Sequence, residues 1–445
     1  MEPVLIGVID FILVPLYFVL LLAIVIGIKK RNRQNKLIQQ YLVKGFLCKM
    51  FGCLLYGLLI LFYWGFGDTA TYFKEILVIK QLLNSGSISV VDVFFKDYSF
   101  FREQFELRGA VNESGFLVVK IGLILSYLGF NSFLVCSMLM GTLALAGIFK
   151  LFETFVSFAP RWHFFIACIV LFFPSINIYG SGILKDTLCY SALGWFFYSC
   201  INISRKQQVV ASYAIILVSL YFIVVIKAYI IAGFAIPFIF FLIIGLVKKI
   251  EIKLFRLIAM PVLLLLVASI FYLGFDKINN ALGEFAVEKI TDNVSTLQNN
   301  YAELTENADS NFDIGEIEPS VLGIIKKMPV GMVATLYRPF LWEVRKPIML
   351  LSALESLFML LFALYVFKKT GPGYFFGRII SDPIVFLCLG YSIIFSGLVG
   401  ISALNFGTLA RYRIPVIPFY FMGFLLILYQ WKLTAQKKWP ENEEG

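Results

Sequence analysis

Long apolar runs, separated by short polar and charged stretches, recur along almost the whole chain. Most of these runs are about 18–25 residues long, the length that an α-helix needs to cross a hydrocarbon core of about 30 Å. They lack the alternation of apolar and polar residues that is typical of a membrane barrel. The pattern therefore predicts an all-α, polytopic membrane helix bundle, with a single transmembrane domain over residues 1–445.

The lengths of the runs predict about eleven crossings. One further run, residues 115–130, is short, and a crossing there would place every later basic cluster on the opposite side. We therefore expect it to be re-entrant, which requires protein or a water-filled cavity to cover its backbone. The predicted crossings are residues 4–28, 43–66, 131–152, 163–180, 187–203, 208–226, 228–247, 254–275, 347–368, 383–404 and 413–431.

The charged residues predict how the chain is oriented in the membrane. They also indicate whether its partner is lipid or nucleic acid. Basic clusters such as residues 29–33 are expected in the cytoplasm, which places the N-terminus outside and the C-terminus inside. The composition is 60% hydrophobic and only 15% charged, with a formal net charge of +10. Because the basic residues lie in short clusters at helix ends, they favour contact with membrane lipids and argue against nucleic acid.

Two long polar stretches are predicted to be outer loops. The first, residues 67–114, is rich in aromatic residues and is expected to hold interfacial amphipathic helices. The second, residues 276–346, is partly helical and begins with ten acidic residues and two lysines up to residue 318. The seven cysteines are scattered through the apolar runs and indicate neither disulfides nor a metal site. No cofactor is predicted, although a divalent metal remains compatible with the sequence.

The predicted topology brings several polar and charged groups to the outer face. Basic residues on that side run against the usual bias, and guanidinium groups bind phosphate oxygens through paired hydrogen bonds. Asp68 directly follows an apolar run, whereas Lys185 and Asp186 follow a break at residues 173–175. The candidate site residues are Asp68, Lys185, Asp186, Lys227, Tyr229, Arg338, Glu343, Arg345, Arg411 and Arg413.

Each candidate also has a structural interpretation. Residues 185–186 could form an ion pair or a helix cap, and Lys227 could extend from a helix hairpin towards the interface. Residues 338–345 and 405–413 could be interfacial anchors, because arginine and aromatic residues are common at that depth. Asp68 could cap the helix that follows it. The sequence leaves these alternatives open.

Four short motifs resemble bacterial envelope-polysaccharide enzymes, namely the Wzy and EpsG-type repeat-unit polymerases and the wider GT-C class of glycosyltransferases. The motifs are Gly-Asp-Thr-x-x-Tyr at 67–72, Phe-Pro-Ser at 173–175, Ser-Gly-Ile-Leu-Lys-Asp at 181–186 and Arg-Tyr-Arg-x-Pro at 411–415. The resemblance implies a sugar donor on a polyprenyl (pyro)phosphate carrier. Likeness to GT-C enzymes implies that Asp68 is the catalytic base, whereas likeness to the polymerases emphasises the arginines. The first loop has no paired acidic motif of the DxD type.

The resulting hypothesis is a membrane glycosyltransferase, a polysaccharide polymerase, that joins a lipid-linked glycan to an acceptor glycan at the outer face of a bacterial cytoplasmic membrane. Asp68 is the first candidate for the base and Asp186 the second. The other candidate residues would bind substrate, with the arginines and Lys185 holding the pyrophosphate. The alternatives are a flippase of lipid-linked sugars and a non-catalytic assembly protein whose acidic loop binds partners.

Overall fold

The computed structural model describes residues 5–65, 67–247, 312, 314–315, 321–403 and 405–438. Of these residues 83% are helical and none lies in a strand, so the all-α class is confirmed over the described part. The chain divides into two compact units, residues 1–227 and 228–445, and each is described by itself.

Unit 1, residues 1–227, is a helical bundle. Its long helix α7 packs against α2 and α10, and α10 also packs against α11. A π-helix at Leu59–Trp64 extends α2, and Asp68 begins α3. The helices are α1 (Asp10–Arg31), α2 (Lys36–Leu58), α3 (Asp68–Asn84), α4 (Val90–Phe95), α5 (Tyr98–Phe105), α6 (Glu113–Leu128), α7 (Phe133–Val156), α8 (His163–Val170), α9 (Pro174–Tyr179), α10 (Lys185–Ser204) and α11 (Val209–Lys227).

Unit 2, residues 228–445, is arranged around α16, which packs against α12, α13 and α18. Glycines permit the closest of these approaches, since a Cβ at Gly400 would lie 2.0 Å from the carbonyl oxygen of Gly331. The helices are α12 (Tyr229–Val247), α13 (Val321–Tyr337), α14 (Pro347–Thr370), α15 (Pro372–Ser381), α16 (Pro383–Ser402), α17 (Phe406–Tyr412) and α18 (Ile417–Lys438).

Six of the described helices are long and apolar enough to cross a membrane, and a seventh span results if the bent pair α17 and α18 is counted as one. The six are α1, α2 with its π-helical extension, α7, α11, α14 and α16. Large apolar side chains of α1, such as Phe11 and Leu16, are exposed and suited to contact with lipid. The predicted crossing at 254–275 lies outside the described residues, so eleven crossings stay a prediction.

Two segments have a secondary structure that differs from the predicted one. Residues 163–180 are two short helices, α8 and α9, because Pro174 lacks an N–H and starts a new helix at its first position. The segment 115–130 lies almost wholly in the continuous helix α6, which is about 24 Å long. The turn follows it at 129–132, so the chain does not reverse within α6.

Both predicted outer loops contain helices that pack against other parts of the chain. Within 67–114 the helices α3 to α5 share a buried cluster with α6 that includes Phe73, Phe101 and Phe116, so this loop has a packed core. In the second loop, 276–346, the apolar helix α13 lies along α16. Most of the acidic part of this second loop lies outside the described residues.

Candidate functional site

The segment that links α9 to α10, residues 180–184, is held against α2 and α3. Its Ile183 N–H donates to Thr69 Oγ1 at 3.1 Å, and the buried Lys49 ammonium donates to the carbonyl of Gly180. Gly182 has a φ of +89° and faces the ring of Tyr56, so both its backbone conformation and its small size fit glycine. These contacts fix the position of the start of α10, where Lys185 and Asp186 lie.

The break before α9 is stabilised from within unit 1. The side-chain amide of Asn177 donates to the carbonyls of Leu171 and Phe173 at 2.8 and 3.1 Å. These carbonyls lie where Pro174 interrupts the helical hydrogen bonds. On the other side, a Cβ at Gly52 of α2 would lie 1.9 Å from the carbonyl oxygen of Asn177. The backbones of α2 and α9 are therefore in direct contact beside the predicted site.

Asp186 and Lys227 form a buried ion pair at the ends of α10 and α11. Their side chains are 1% and 6% exposed, and the ammonium donates to Asp186 Oδ1. Each charge offsets the cost of burying the other. We predicted Asp186 as a second choice of base and Lys227 as a substrate ligand, but the geometry favours a structural role for both. Asp186 accepts a hydrogen bond from Lys227, 41 residues away, whereas its neighbour Lys185 donates to Asn112 and Ser114.

Lys185 is only partly buried and is bound by the start of α6. Its ammonium donates to Ser114 Oγ at 2.7 Å and to Asn112 Oδ1 at 3.2 Å. Burial lowers the pKa of Lys185, as does the charge of Lys227, whereas the nearby carboxylates of Asp68 and Asp186 raise it. Asp68 precedes Thr69, which accepts the N–H of Ile183 just before α10, so Asp68 and Lys185 lie in one region of unit 1.

Asp68 is exposed and is the first residue of α3. The N-terminus of a helix favours a carboxylate there. The structure therefore places an exposed acid and a partly exposed cation in one region of unit 1. Such an arrangement can bind a polar group between them, take a proton with the acid, and stabilise negative charge with the cation.

In unit 2 the guanidinium of Arg338 is held by Glu343. Arg338 Nε donates to both carboxylate oxygens of Glu343, at 2.9 and 3.1 Å. The guanidinium also lies over the rings of Phe312 and Phe406, at 4.7 and 5.3 Å from their centroids. Arg338 is consequently fixed in position, and the pair with Glu343 neutralises the charge that we expected to bind phosphate.

Arg413 is wholly buried in unit 2. It donates to Ser356 Oγ at 2.6 Å and to Glu355 Oε2 at 3.0 Å. Ser356 Oγ in turn donates to the carbonyl of Arg338 at 3.0 Å. This position gives a substrate phosphate no direct access to the guanidinium, so the predicted role of Arg413 in phosphate binding is not supported by its surroundings.

The other candidate residues of unit 2 differ in how exposed they are and in what they contact. Arg345 is exposed and Arg411 is partly exposed. The ring of Tyr229 packs near those of Phe395 and Tyr412, with centroids 5.8 and 6.3 Å away. Asp68 belongs to unit 1 and the arginines to unit 2, so the shared cavity that we expected for them stays a prediction.

Unit 2 also contains an apolar groove of about 420 Å³. Helices α12, α13, α15, α16 and α18 line it, mainly with aromatic and aliphatic side chains. Its main polar groups are the hydroxyls of Tyr337 and Tyr420, which lie 3.3 Å apart, and the latter donates to the carbonyl of Met359. A groove of this composition suits a hydrocarbon chain.

Several residues around these sites were missed by the sequence reasoning: Lys49, Glu75, Asn112, Ser114 and Glu355. Glu355 had a usable signal, since it is an acid inside an apolar run. Glu75 lies seven residues after Asp68, two helical turns along the same face of α3. Among the described residues, no group of three or more His, Cys, Asp or Glu side chains is arranged to hold a metal ion.

The fold and its apolar helices define a polytopic α-helical membrane protein. Comparison with known proteins adds no narrower assignment. No protein-family model matches the chain, and no match is found among curated proteins or solved structures.

Proposed function

We propose that the chain is a membrane glycosyltransferase, a polysaccharide polymerase, that uses a polyprenyl-pyrophosphate-linked glycan as donor. In this proposal it crosses a bacterial cytoplasmic membrane about eleven times, with the N-terminus outside and the C-terminus inside. Transfer takes place at the outer face, to a hydroxyl of an acceptor glycan.

The observation that carries the proposal is that Asp68 and Lys185 begin two helices whose starts are in contact, since Thr69 accepts the N–H of Ile183 at 3.1 Å. Asp68 takes the proton of the acceptor hydroxyl as its oxygen attacks the anomeric carbon of the donor. The bond from that carbon to the pyrophosphate breaks, and the negative charge that leaves with the carrier is stabilised by Lys185. Asp186 is less suited to the role of base because Lys227 already neutralises it in a buried pair.

Unit 2, taken by itself, has two features that suit a lipid-linked pyrophosphate. Its apolar groove is compatible with an isoprenoid chain. The exposed Arg345 and the partly exposed Arg411 remain candidates for binding phosphate oxygens. Arg338, Glu343 and Arg413 are better explained as structural groups.

Asp68→Asn is expected to lower kcat by about 10²–10⁴-fold, because it removes a general base while preserving size. The melting temperature should change little, since the side chain is exposed. The measurement is release of free carrier pyrophosphate from a labelled donor by the purified full-length protein. Glu103→Gln, at an exposed acid of the same polar stretch, is the matched control and should keep full activity. Equal activity of Asp68→Asn and the native chain would remove Asp68 from the mechanism.

The same labelled donor separates the proposal from transport. A transferase converts the donor to free carrier pyrophosphate and an extended glycan. A flippase leaves the donor intact and moves it to the other leaflet of a proteoliposome. A non-catalytic assembly protein does neither.

A further inference from the structure

Glu75 is a buried carboxyl group on α3 that the proposed chemistry does not use. Its side chain is only 4% exposed, and its Oε2 accepts the N–H of Ala110 at 2.6 Å. A Cβ at Gly109 would lie 2.2 Å from the same oxygen, so residues 109 and 110 of the segment 107–112 lie directly against the carboxyl group. The other oxygen, Oε1, is buried and has no hydrogen-bond partner in the part of the chain that the structure describes.

The segment 107–112 connects Glu75 to Lys185. The carbonyl of Ala110 accepts the N–H of Asn112 at 2.7 Å. A Cβ at Gly115 would lie 2.0 Å from that carbonyl oxygen, so the start of α6 packs tightly on the segment. Asn112 Oδ1 receives hydrogen bonds from Gly115 N–H and from the Lys185 ammonium, each at 3.2 Å. A movement of Ala110 would therefore displace the groups that hold Lys185.

The charge state of Glu75 depends on how closely this segment covers it. Burial raises the pKa of Glu75 to about 7, and the backbone N–H groups of Ala110 and Gly109 only partly oppose the rise. If the segment opens, water reaches the carboxyl group and its pKa falls towards the ordinary value of about 4.3. Titratable groups on the surrounding elements include Tyr98 and Arg102 of α5, Arg108 of the segment, and Glu113 and Lys120 of α6.

We propose that Glu75 is a positioning residue that holds the segment 107–112 closed when neutral and loosens it when ionised, and so controls the support of Lys185 by Asn112 and Ser114. The closed form binds a proton more tightly than the open form, so its stability falls as pH rises from about 4.3 to about 7. The buried Oε1 explains the direction, because an ionised oxygen without a partner is stabilised by water in the open form. The structural link between Glu75 and Lys185 does not depend on the proposed function. Its consequence for catalysis rests on that function.

Hydrogen exchange of the full-length protein in lipid nanodiscs tests the first step. After correction for the intrinsic pH dependence of exchange, protection of peptides covering 107–115 should fall several-fold between about pH 5.5 and 8. In Glu75→Gln the protection should not change with pH. A purely structural role would lower protection in the variant without removing a pH dependence. Two results would overturn the proposal. One is protection in the native chain that does not change with pH, and the other is protection in Glu75→Gln that falls with pH as it does in the native chain.

Amine labelling tests the second step without any assay of activity. The reaction of Lys185 with an acylating reagent, measured relative to the exposed Lys206, should rise several-fold over the same pH range in the native chain. The ratio should rise less in Glu75→Gln. An identical rise in both proteins would show that Glu75 does not act on Lys185. Failure of the glycosyltransferase assay would leave both measurements unaffected, so the two proposals fail separately.

Discussion

Asp186→Asn is expected to lower the free energy of unfolding by about 3–5 kcal/mol, because it leaves the Lys227 ammonium buried without its carboxylate. Unfolding of the purified protein in mixed detergent micelles measures the change. Lys96→Met is the matched control. It breaks an ion pair with Asp92 that is much more exposed, so its effect on the unfolding transition should be small.

The double variant Asp186→Leu with Lys227→Met separates stability from chemistry. It removes both buried charges together, so it should recover most of the stability that the single change loses. If Asp68 is the base, the folded double variant should also retain transfer of the labelled donor. A folded double variant without activity would indicate that Asp186 takes part in catalysis. A single variant as stable as the native chain would contradict the buried pair.

Gly52→Ala is expected to destabilise unit 1 by about 1–3 kcal/mol or more, because the new Cβ would lie 1.9 Å from the carbonyl oxygen of Asn177. That oxygen belongs to the backbone of α9, so relief of the clash requires α2 and α9 to separate. The separation would shift the segment 180–184 and the start of α10. The expected result is a lower melting temperature and, under the proposed function, weaker binding of the labelled donor.

Gly27→Ala is the control for this change. Gly27 lies within α1, and a Cβ there would meet nothing within 4 Å. Because alanine favours a helix more than glycine does, this variant should be as stable as the native chain or slightly more so. Equal stability of Gly52→Ala and Gly27→Ala would contradict the close contact of α2 and α9.

The apolar pattern predicted the long helices well because each depends on its own sequence. The run at 4–28 corresponds to α1, Asp10–Arg31, and the run at 131–152 to α7, Phe133–Val156. Pro174 also signalled the break between α8 and α9. The second outer loop, 276–346, is predicted to be partly helical, and its residues 321–337 form α13. The packing of α13 along α16 could not be predicted, because it depends on a helix that lies far away in the sequence.

The partners of the charged residues could not be predicted in the same way. Lys185 and Asp186 are neighbours in sequence, yet Asp186 pairs with Lys227 and Lys185 binds Asn112 and Ser114. Arg413 was expected to be open to substrate, whereas it is buried against Glu355. Such pairings depend on how distant helices pack, and the local pattern around one charge contains no information about that packing.

The pair of Glu355 and Arg413 also constrains the order in which the polypeptide enters the membrane. Glu355 lies in α14 and is synthesised 58 residues before its partner. During that interval the charge that Arg413 later offsets is costly within the bilayer, so the carboxyl group is more stable near water or protonated. We therefore expect α14 to settle at its final depth only after the chain around Arg413 has left the ribosome and supplied the neutralising charge.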